Sequence, residues 1–401
     1  MSASPARSVA HKVLVRVFDE GAYADRAFAG EAAGLDARDR AFAQRVAYGA
    51  IQRVRTLDHA LEAIGGRPVA ALDVPVRAAL RLGAYELAFL GGVPPRASVN
   101  EAVELARASG AGRATGLVNA VLRRVSEQVR KLLDALPAST PQEAALKHSY
   151  PDWVAETWWR EWGAGEALEL MRFQNEPAET AVRVVGTGEA RVVERIEPDW
   201  LERGLVWPQS RGSQVAGLSV GAAAGERVLD LCAAPGGKAT QLAERAGEVV
   251  AVELHPGRAR ELEENAQRLG AHNVTVVNAD ARELPADLTG FDRALVDAPC
   301  SGLGVLASRP DLRWRAQPLP ELQLELLRVA AERVRPGGAI TYSVCTIAAA
   351  ENEQVVEASG LDVEPLGELW PEFAHPRRPE FLLTLPHKHH TSGFFIARLR
   401  P

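Results

Sequence analysis

Cys300 and Cys345 each close a short apolar run, Arg293-Ala294-Leu295-Val296-Asp297-Ala298-Pro299 before the first and Ala339-Ile340-Thr341-Tyr342-Ser343-Val344 before the second. Such runs read as buried parallel strands, and open α/β sheets bind their ligands at strand carboxyl ends. Two thiols there suit covalent chemistry, because a thiolate is a strong nucleophile near neutral pH and can later leave. The bland alternative is that both are buried packing residues, the common fate of a free cysteine. The first of the chain's three cysteines, Cys232, sits in the turn Leu229-Asp230-Leu231-Cys232-Ala233-Ala234-Pro235-Gly236-Gly237-Lys238-Ala239-Thr240. It reads as packing, with its backbone toward a ligand.

That turn joins a strand to a helix start, and Gly236 and Gly237 let backbone approach a ligand closely. It matches neither the dinucleotide fingerprint nor the phosphate loop of nucleotide hydrolases. Glu253 ends the next strand, 16 residues after Gly237, where an acid can accept from both ribose hydroxyls. Asp280 ends a third strand region and can accept from an adenine amino group. Ribose and adenine without a pyrophosphate loop suggest S-adenosylmethionine. Each acid alone reads equally as a strand-end cap; the ordered series Asp230, Glu253, Asp280, Asp297 is more specific.

The elements that position these groups alternate from about residue 215 onward. Strands are expected at 227–231, 249–253, 274–277, 293–297, 338–342 and 394–398, with helices such as 258–269 and 321–334 between them. This is the pattern of a doubly wound parallel sheet, an α/β fold. Residues 1–135 read as all helical. Val76, Leu80, Ala84, Leu87 and Leu90 form one apolar stripe, and Leu117, Val118, Val121, Leu122 and Val125 another. Ser98-Val99-Asn100-Glu101 reads as a capping box, and Gly110 as the end of the helix it opens. A helical bundle follows. Leu136-Pro137-Ala138-Ser139-Thr140-Pro141 reads as a linker. Short strands are expected at 180–185 and 190–193, and the nearby tryptophans as core anchors in preference to base-stacking platforms. Three regions result: 1–135, 140–215 and 216–401.

The 401 residues carry a net charge of −6, with 47% hydrophobic and 24% charged residues, which are globular values. Residues 1–135 hold 19 Lys and Arg against 14 Asp and Glu, and the remainder 27 against 38. A basic front and an acidic back fit a nucleic-acid-facing module joined to an enzyme; a chance imbalance is the alternative. Three cysteines without a CxxC pair give neither a disulfide framework nor a zinc site. No apolar run approaches membrane-spanning length, and the N-terminus lacks a signal-peptide pattern, so a cytoplasmic protein is expected. His387-Lys388-His389-His390 lacks an accompanying acid or cysteine, and no metal is expected.

These residues resemble the NOL1/NOP2/Sun family of RNA cytosine-5 methyltransferases. The likeness is carried by Leu-Asp-Leu-Cys-Ala-Ala-Pro-Gly-Gly-Lys (229–238), Asp-Ala-Pro-Cys-Ser-Gly-Leu-Gly (297–304), Pro-Asp-Leu-Arg-Trp (310–314), Tyr-Ser-Val-Cys-Thr (342–346), Glu351-Asn352-Glu353 and Thr391-Ser392-Gly393-Phe394-Phe395. The front resembles the NusB-like RNA-binding domain fused to this enzyme in bacterial small-subunit rRNA methyltransferases of the B type, through Asp36–Phe42 and Gly116–Arg123. Four departures stand out: Val344 where the family usually has Thr, Ala307-Ser308-Arg309 ahead of Pro310 where the family is often richer in Arg and His, Gln209-Ser210 where Gln-Asp is common, and a shortened 140–215 region.

The resemblance implies a class I, Rossmann-like methyltransferase domain at 216–401, a NusB-like RNA-binding bundle at 1–135 and a small RNA-contacting region at 140–215. It implies S-adenosylmethionine bound by Cys232, Ala233, Ala234, Pro235, Gly236, Gly237, Lys238, Glu253, Arg258, Asp280 and Asp297. It implies Cys345 as the nucleophile at cytosine C6, Asp297 holding the base, and Cys300 assisting removal of the C5 proton and release of the enzyme. Lys238 is expected to position the base or orient Cys345; a phosphate or solvent contact is the alternative. Arg309, Arg313 and Arg315 around Trp314 offer phosphate contacts and a stacking surface, or else form a solvated cluster. The expected substrate is RNA, with 16S rRNA ahead of tRNA, entered as an unpaired or splayed loop by a monomeric protein. The competing readings are a DNA cytosine-5 methyltransferase and a catalytically inactive RNA-binding factor.

Overall fold

The computed structural model describes residues 3–401. The chain forms two compact units: one holds the chain to Asn175 together with Leu306–Arg315, the other Glu176–Val305 and Ala316–Pro401. The stretch 140–215, expected as one small region, is thereby shared between them.

The first unit is helical. Both expected stripes face its interior: Val76, Leu80, Ala84, Leu87 and Leu90 are buried along and just beyond the helix Val74–Phe89, and Val118, Val121, Leu122 and Val125 along Thr115–Asp134. The capping box expected at Ser98–Glu101 is absent. Pro94-Pro95 starts the helix earlier, at Pro95–Ala108, so Ser98 lies inside it and its hydroxyl donates to Glu86 at 2.8 Å. A capping box does form at Thr140–Glu143, in what composition reads as linker, and opens the helix Pro141–His148. Trp158 is fully buried, edge-on to Tyr150, as a core anchor.

The detour Leu306–Arg315 brings Arg313 and Trp314 into this same unit. Arg313 is 1% exposed; it donates to the carbonyls of Gln52, Ser149 and Gln174 and to Asn175 Oδ1, and stacks 4.0 Å from the Tyr150 ring centroid. Trp314 Nε1 donates to the Ile51 carbonyl at 2.7 Å. The expected arginine surface around Trp314 is therefore corrected, since these two side chains are structural ties. Arg315 is exposed, against Tyr23, while Arg309 is half-buried beside Asp25.

The second unit is built on β1 (Ala181–Val184), β2 (Ala190–Val192), β3 (Val206–Pro208), β4 (Arg227–Asp230), β5 (Glu248–Glu253), β6 (Val274–Asn278), β7 (Phe291–Asp297), β8 (Val334–Val344), β9 (Asp362–Glu364), β10 (Leu382–Thr384) and β11 (Phe394–Arg400). β2-β1-β3 form a small antiparallel sheet. The large sheet runs β10-β11-β8-β7-β4-β5-β6, with β9 also on β11. β8-β7-β4-β5-β6 are parallel, whereas β11 joins β8 antiparallel, so the all-parallel expectation is corrected at that edge. An apolar run such as Phe394-Phe395-Ile396-Ala397 reports burial and carries no direction. The helix Pro320–Arg333 hands over directly to β8, whose first residues include Pro336-Gly337-Gly338.

The chain goes outward from β4 through β5 to β6, then returns to add β7 on the other side of β4. β4 and β7 thus flank a topological switch point, where crevices open beyond the strand carboxyl ends. Those two ends carry Asp230 and Asp297.

Candidate active site

β7 and β8 pair with Asp297 opposite Ser343, so the loops that follow them leave the sheet side by side. The Cys300 and Cys345 sulfurs, from those two loops, lie 3.4 Å apart. Both thiols are half-buried. The hydrogen bond with Cys345, reinforced by burial, pushes the Cys300 thiol pKa well up. Asp297 accepts from Lys238 Nζ at 2.7 Å on one oxygen and from Ser343 Oγ at 2.5 Å on the other. Lys238 lies over the Phe394 ring, its ammonium 5.0 Å from the centroid, and is only 11% exposed. It bridges the turn after β4 to the end of β7, which disfavours the solvent-contact reading.

Beyond β4, the turn is braced from behind. Gly236 takes a left-handed φ of +108°, and a Cβ there would meet Leu262 Cδ1 at 2.6 Å; a Cβ on Gly237 would meet Trp207 Nε1 at 2.5 Å. Protein neighbours thus demand both glycines, in addition to any ligand. Arg258 donates to the Ala234 carbonyl at 2.7 Å and stands 3.7 Å from Glu253 Oε2. Arg183, fully buried on β1, pairs with Glu244 and donates to Thr240 Oγ1, tying the small sheet to the helix Gly237–Ala243. Composition gives no hint of this arginine's place.

Glu253 ends β5, 5% exposed, with Oε1 accepting from His255 N at 2.9 Å. Asp280 lies just past β6, paired with the Arg282 guanidinium, which holds its carboxyl below the usual range. Asp230 is fully buried. Oδ1 accepts from Cys232 N at 3.4 Å, Oδ2 has no partner, and burial with the nearby Asp297 charge pushes its pKa up to about 7. Burial first, then these acids, also raises the Cys232 thiol, leaving it unsuited to nucleophilic work. An orphaned buried acid among Glu253 and Asp297 fits a ligand that is cationic and carries hydroxyl groups, as a sulfonium nucleoside is.

The loop after Cys300 is seated by close backbone contact. Gly304 N donates to the Cys345 carbonyl at 3.0 Å, and Gly393 N to the Gly304 carbonyl at 2.8 Å. A Cβ on Gly304 would stand 2.1 Å from the Gly393 carbonyl oxygen. The separated motifs around 300, 345 and 393 therefore meet in one place. Val344, the departure from Thr, is fully buried opposite Phe395. Ser210 caps the helix Arg211–Leu218 by accepting from Ser213 N. His389 Nδ1 accepts from Leu385 N at 2.7 Å, a local structural role. No cluster of three or more His, Cys, Asp or Glu among the described residues is arranged to hold a metal ion, and no described helix is long and apolar enough to cross a membrane.

Comparisons with known proteins agree with this architecture. The family model for the 16S rRNA methyltransferase RsmB/F matches residues 219–400, and that for the NusB family residues 4–127. A probable ribosomal RNA small subunit methyltransferase B of Synechocystis sp. is 33% identical, over 98% of this chain and 99% of its own. The ribosomal RNA small subunit methyltransferase B of Thermus thermophilus is 36% identical, over 100% of this chain and 98% of its own. Among solved structures, PH0851 matches all of both chains with a TM-score of 0.81 at 23% identity, a likeness of fold alone.

Proposed function

We infer, for a chain that belongs to the RsmB/F family of 16S rRNA methyltransferases and carries a NusB-family front, that it methylates C5 of a cytosine in small-subunit ribosomal RNA through a covalent cysteine adduct. The observation that carries this reading is the pair of thiols 3.4 Å apart beside the Lys238–Asp297 bridge, at the strand ends flanking the switch point. A packing role for both thiols does not account for a half-buried acid–ammonium pair at the same strand ends. Two full-length relatives named for small-subunit ribosomal RNA favour that substrate over tRNA.

Cytosine C5 is a poor nucleophile. Addition of Cys345 Sγ to C6, as the thiolate with its proton released to solvent water, moves the ring π electrons toward N3 and O2 and makes C5 nucleophilic. Asp297, oriented by Lys238 and Ser343, accepts from the cytosine N4 amino group and fixes the ring over the sulfur. Lys238 supplies positive charge to the electron-rich adduct. Asp230, Glu253 and the 232–238 turn would hold S-adenosylmethionine, which supplies a methyl group on a sulfonium. Once Cys345 is bonded to carbon, Cys300, whose sulfur lies 3.4 Å from Cys345 Sγ, stands beside the adduct. Cys300 gives its proton to solvent water and, as a thiolate, takes the one on C5, whose departure reforms the ring double bond and expels Cys345 as a thiolate.

Incubation with S-adenosylmethionine and small-subunit rRNA lacking modifications tests this, with the product mapped by bisulfite sequencing. A single protected cytosine is expected. Methyl groups found only on another ring position, or only on tRNA or DNA, would overturn the reading.

A further inference from the structure

We propose that Glu351, with Ser301 and Thr346, is a positioning device that sets the spacing of the two active-site thiols. It rests on the two-thiol reading for its catalytic meaning and on geometry alone for its existence.

Glu351 is fully buried. Its carboxyl group accepts from Ser301 N at 3.0 Å, from Ser301 Oγ, from Leu319 N at 3.0 Å and from Gln323 Nε2 at 2.9 Å. Ser301 follows Cys300 directly. Thr346 follows Cys345 directly, and the Ser301 and Thr346 hydroxyls are hydrogen-bonded to one another at 2.9 Å. The neighbours of both thiols are thus joined, and Glu351 holds the junction. The grip is extended on both sides. Gln323 also donates to the Pro299 carbonyl at 3.0 Å, and Tyr342, three residues before Cys345, donates through its hydroxyl to the Glu351 carbonyl at 2.6 Å.

A buried carboxyl group with this many donors is fixed in place, because each broken bond would leave a desolvated partner. Neither loop can drift from the other without breaking the network. None of these hydrogen bonds is made to Asp297, Lys238 or the acids Asp230, Glu253 and Asp280, so Glu351 acts through Cys300 and Cys345 as a positioning residue.

Disulfide formation serves as a ruler of the thiol spacing. Diamide oxidises two thiols to one disulfide, its N=N bond taking up the two protons and two electrons. Wild type, Glu351→Gln and the near-isosteric Thr346→Val are treated with diamide, and the Cys300–Cys345 cross-linked peptide is followed by mass spectrometry. Both variants are expected to cross-link at least about tenfold more slowly, as a misplacement of order 1 Å dictates. In both, turnover falls by a similar factor while KM for RNA and cofactor affinity stay within about twofold of wild type. A cross-linking rate equal to wild type in folded Thr346→Val overturns the proposal, whether or not Glu351→Gln folds. A Cys300→Ala control that traps no protein–RNA adduct removes the two-thiol reading, and the cross-linking rates still decide the positioning role.

Discussion

Replacing Arg313 with Met separates a structural arginine from one that grips nucleic acid. Its guanidinium makes two short bonds, 2.7 Å to Asn175 Oδ1 and 2.7 Å to the Gln174 carbonyl, and two longer ones, 3.3 Å to Gln52 O and 3.2 Å to Ser149 O. Burial lowers its pKa to about 10, so it stays charged at neutral pH. Met removes the buried charge, which recovers desolvation energy, but strands the acceptors where water does not reach. The two short bonds dominate, and at roughly 1–3 kcal/mol for each stranded group the loss comes to about 3–5 kcal/mol with the weaker pair included. For a unit of this size that lowers the melting temperature by roughly 6–20 °C. The assay is the helical circular-dichroism melt of Arg313→Met beside Arg315→Ala, whose exposed side chain donates to the Gly21 carbonyl at 3.0 Å and lies over the Tyr23 ring. Arg315→Ala is expected to move the melt by less than about 3 °C. RNA affinity, measured well below both transitions, should be unchanged in Arg313→Met. A melt within about 2 °C of wild type, together with weaker RNA binding and a shallower salt dependence, would refute the structural assignment.

Asp230 makes stability pH-dependent. Its folded pKa of about 7 lies above the usual value of 3.8, so the native state binds the extra proton and loses stability as pH rises from about 4 through 7. Asp230→Asn cannot titrate. Its stability relative to wild type should therefore climb between pH 5 and 8, by an amount on the order of 3 kcal/mol, in cofactor-free thermal melts. A pH-independent difference would contradict the assignment. Gly304→Ala drives a Cβ into the Gly393 backbone. It should cost about 1–3 kcal/mol and abolish turnover while leaving cofactor affinity, read by calorimetry, near wild type. Wild-type turnover would show that the loop yields at no cost.

The strands that carry the site were legible because buried parallel strands are continuous apolar runs bounded by glycine and proline. The observed ranges of β4, β5, β6 and β7 lie within a residue or two of those expected. Pairing direction is set by the path of the connecting chain, so the antiparallel β11 was not legible. The thiol pair was legible as two strand-end cysteines, but their approach depends on β7 and β8 being adjacent, a property of strand order. Buried charges were the least legible. Arg183, Arg313 and Glu351 have the residue types of a solvated surface, and only their partners, far away in sequence, place them inside. Proline decided the Ser98 case, because a helix that opens on Pro95 leaves no cap position for Ser98.

The most direct test of the central claim is a denaturing gel of protein–RNA adducts formed with S-adenosylmethionine and unmodified small-subunit rRNA. The account predicts that Cys300→Ala, which cannot remove the C5 proton, accumulates a covalent band that appears only fleetingly in wild type. Cys345→Ala forms none. The reverse pattern, a band trapped by Cys345→Ala and absent from Cys300→Ala, would move the nucleophile to Cys300 and contradict the division of labour assigned to the pair.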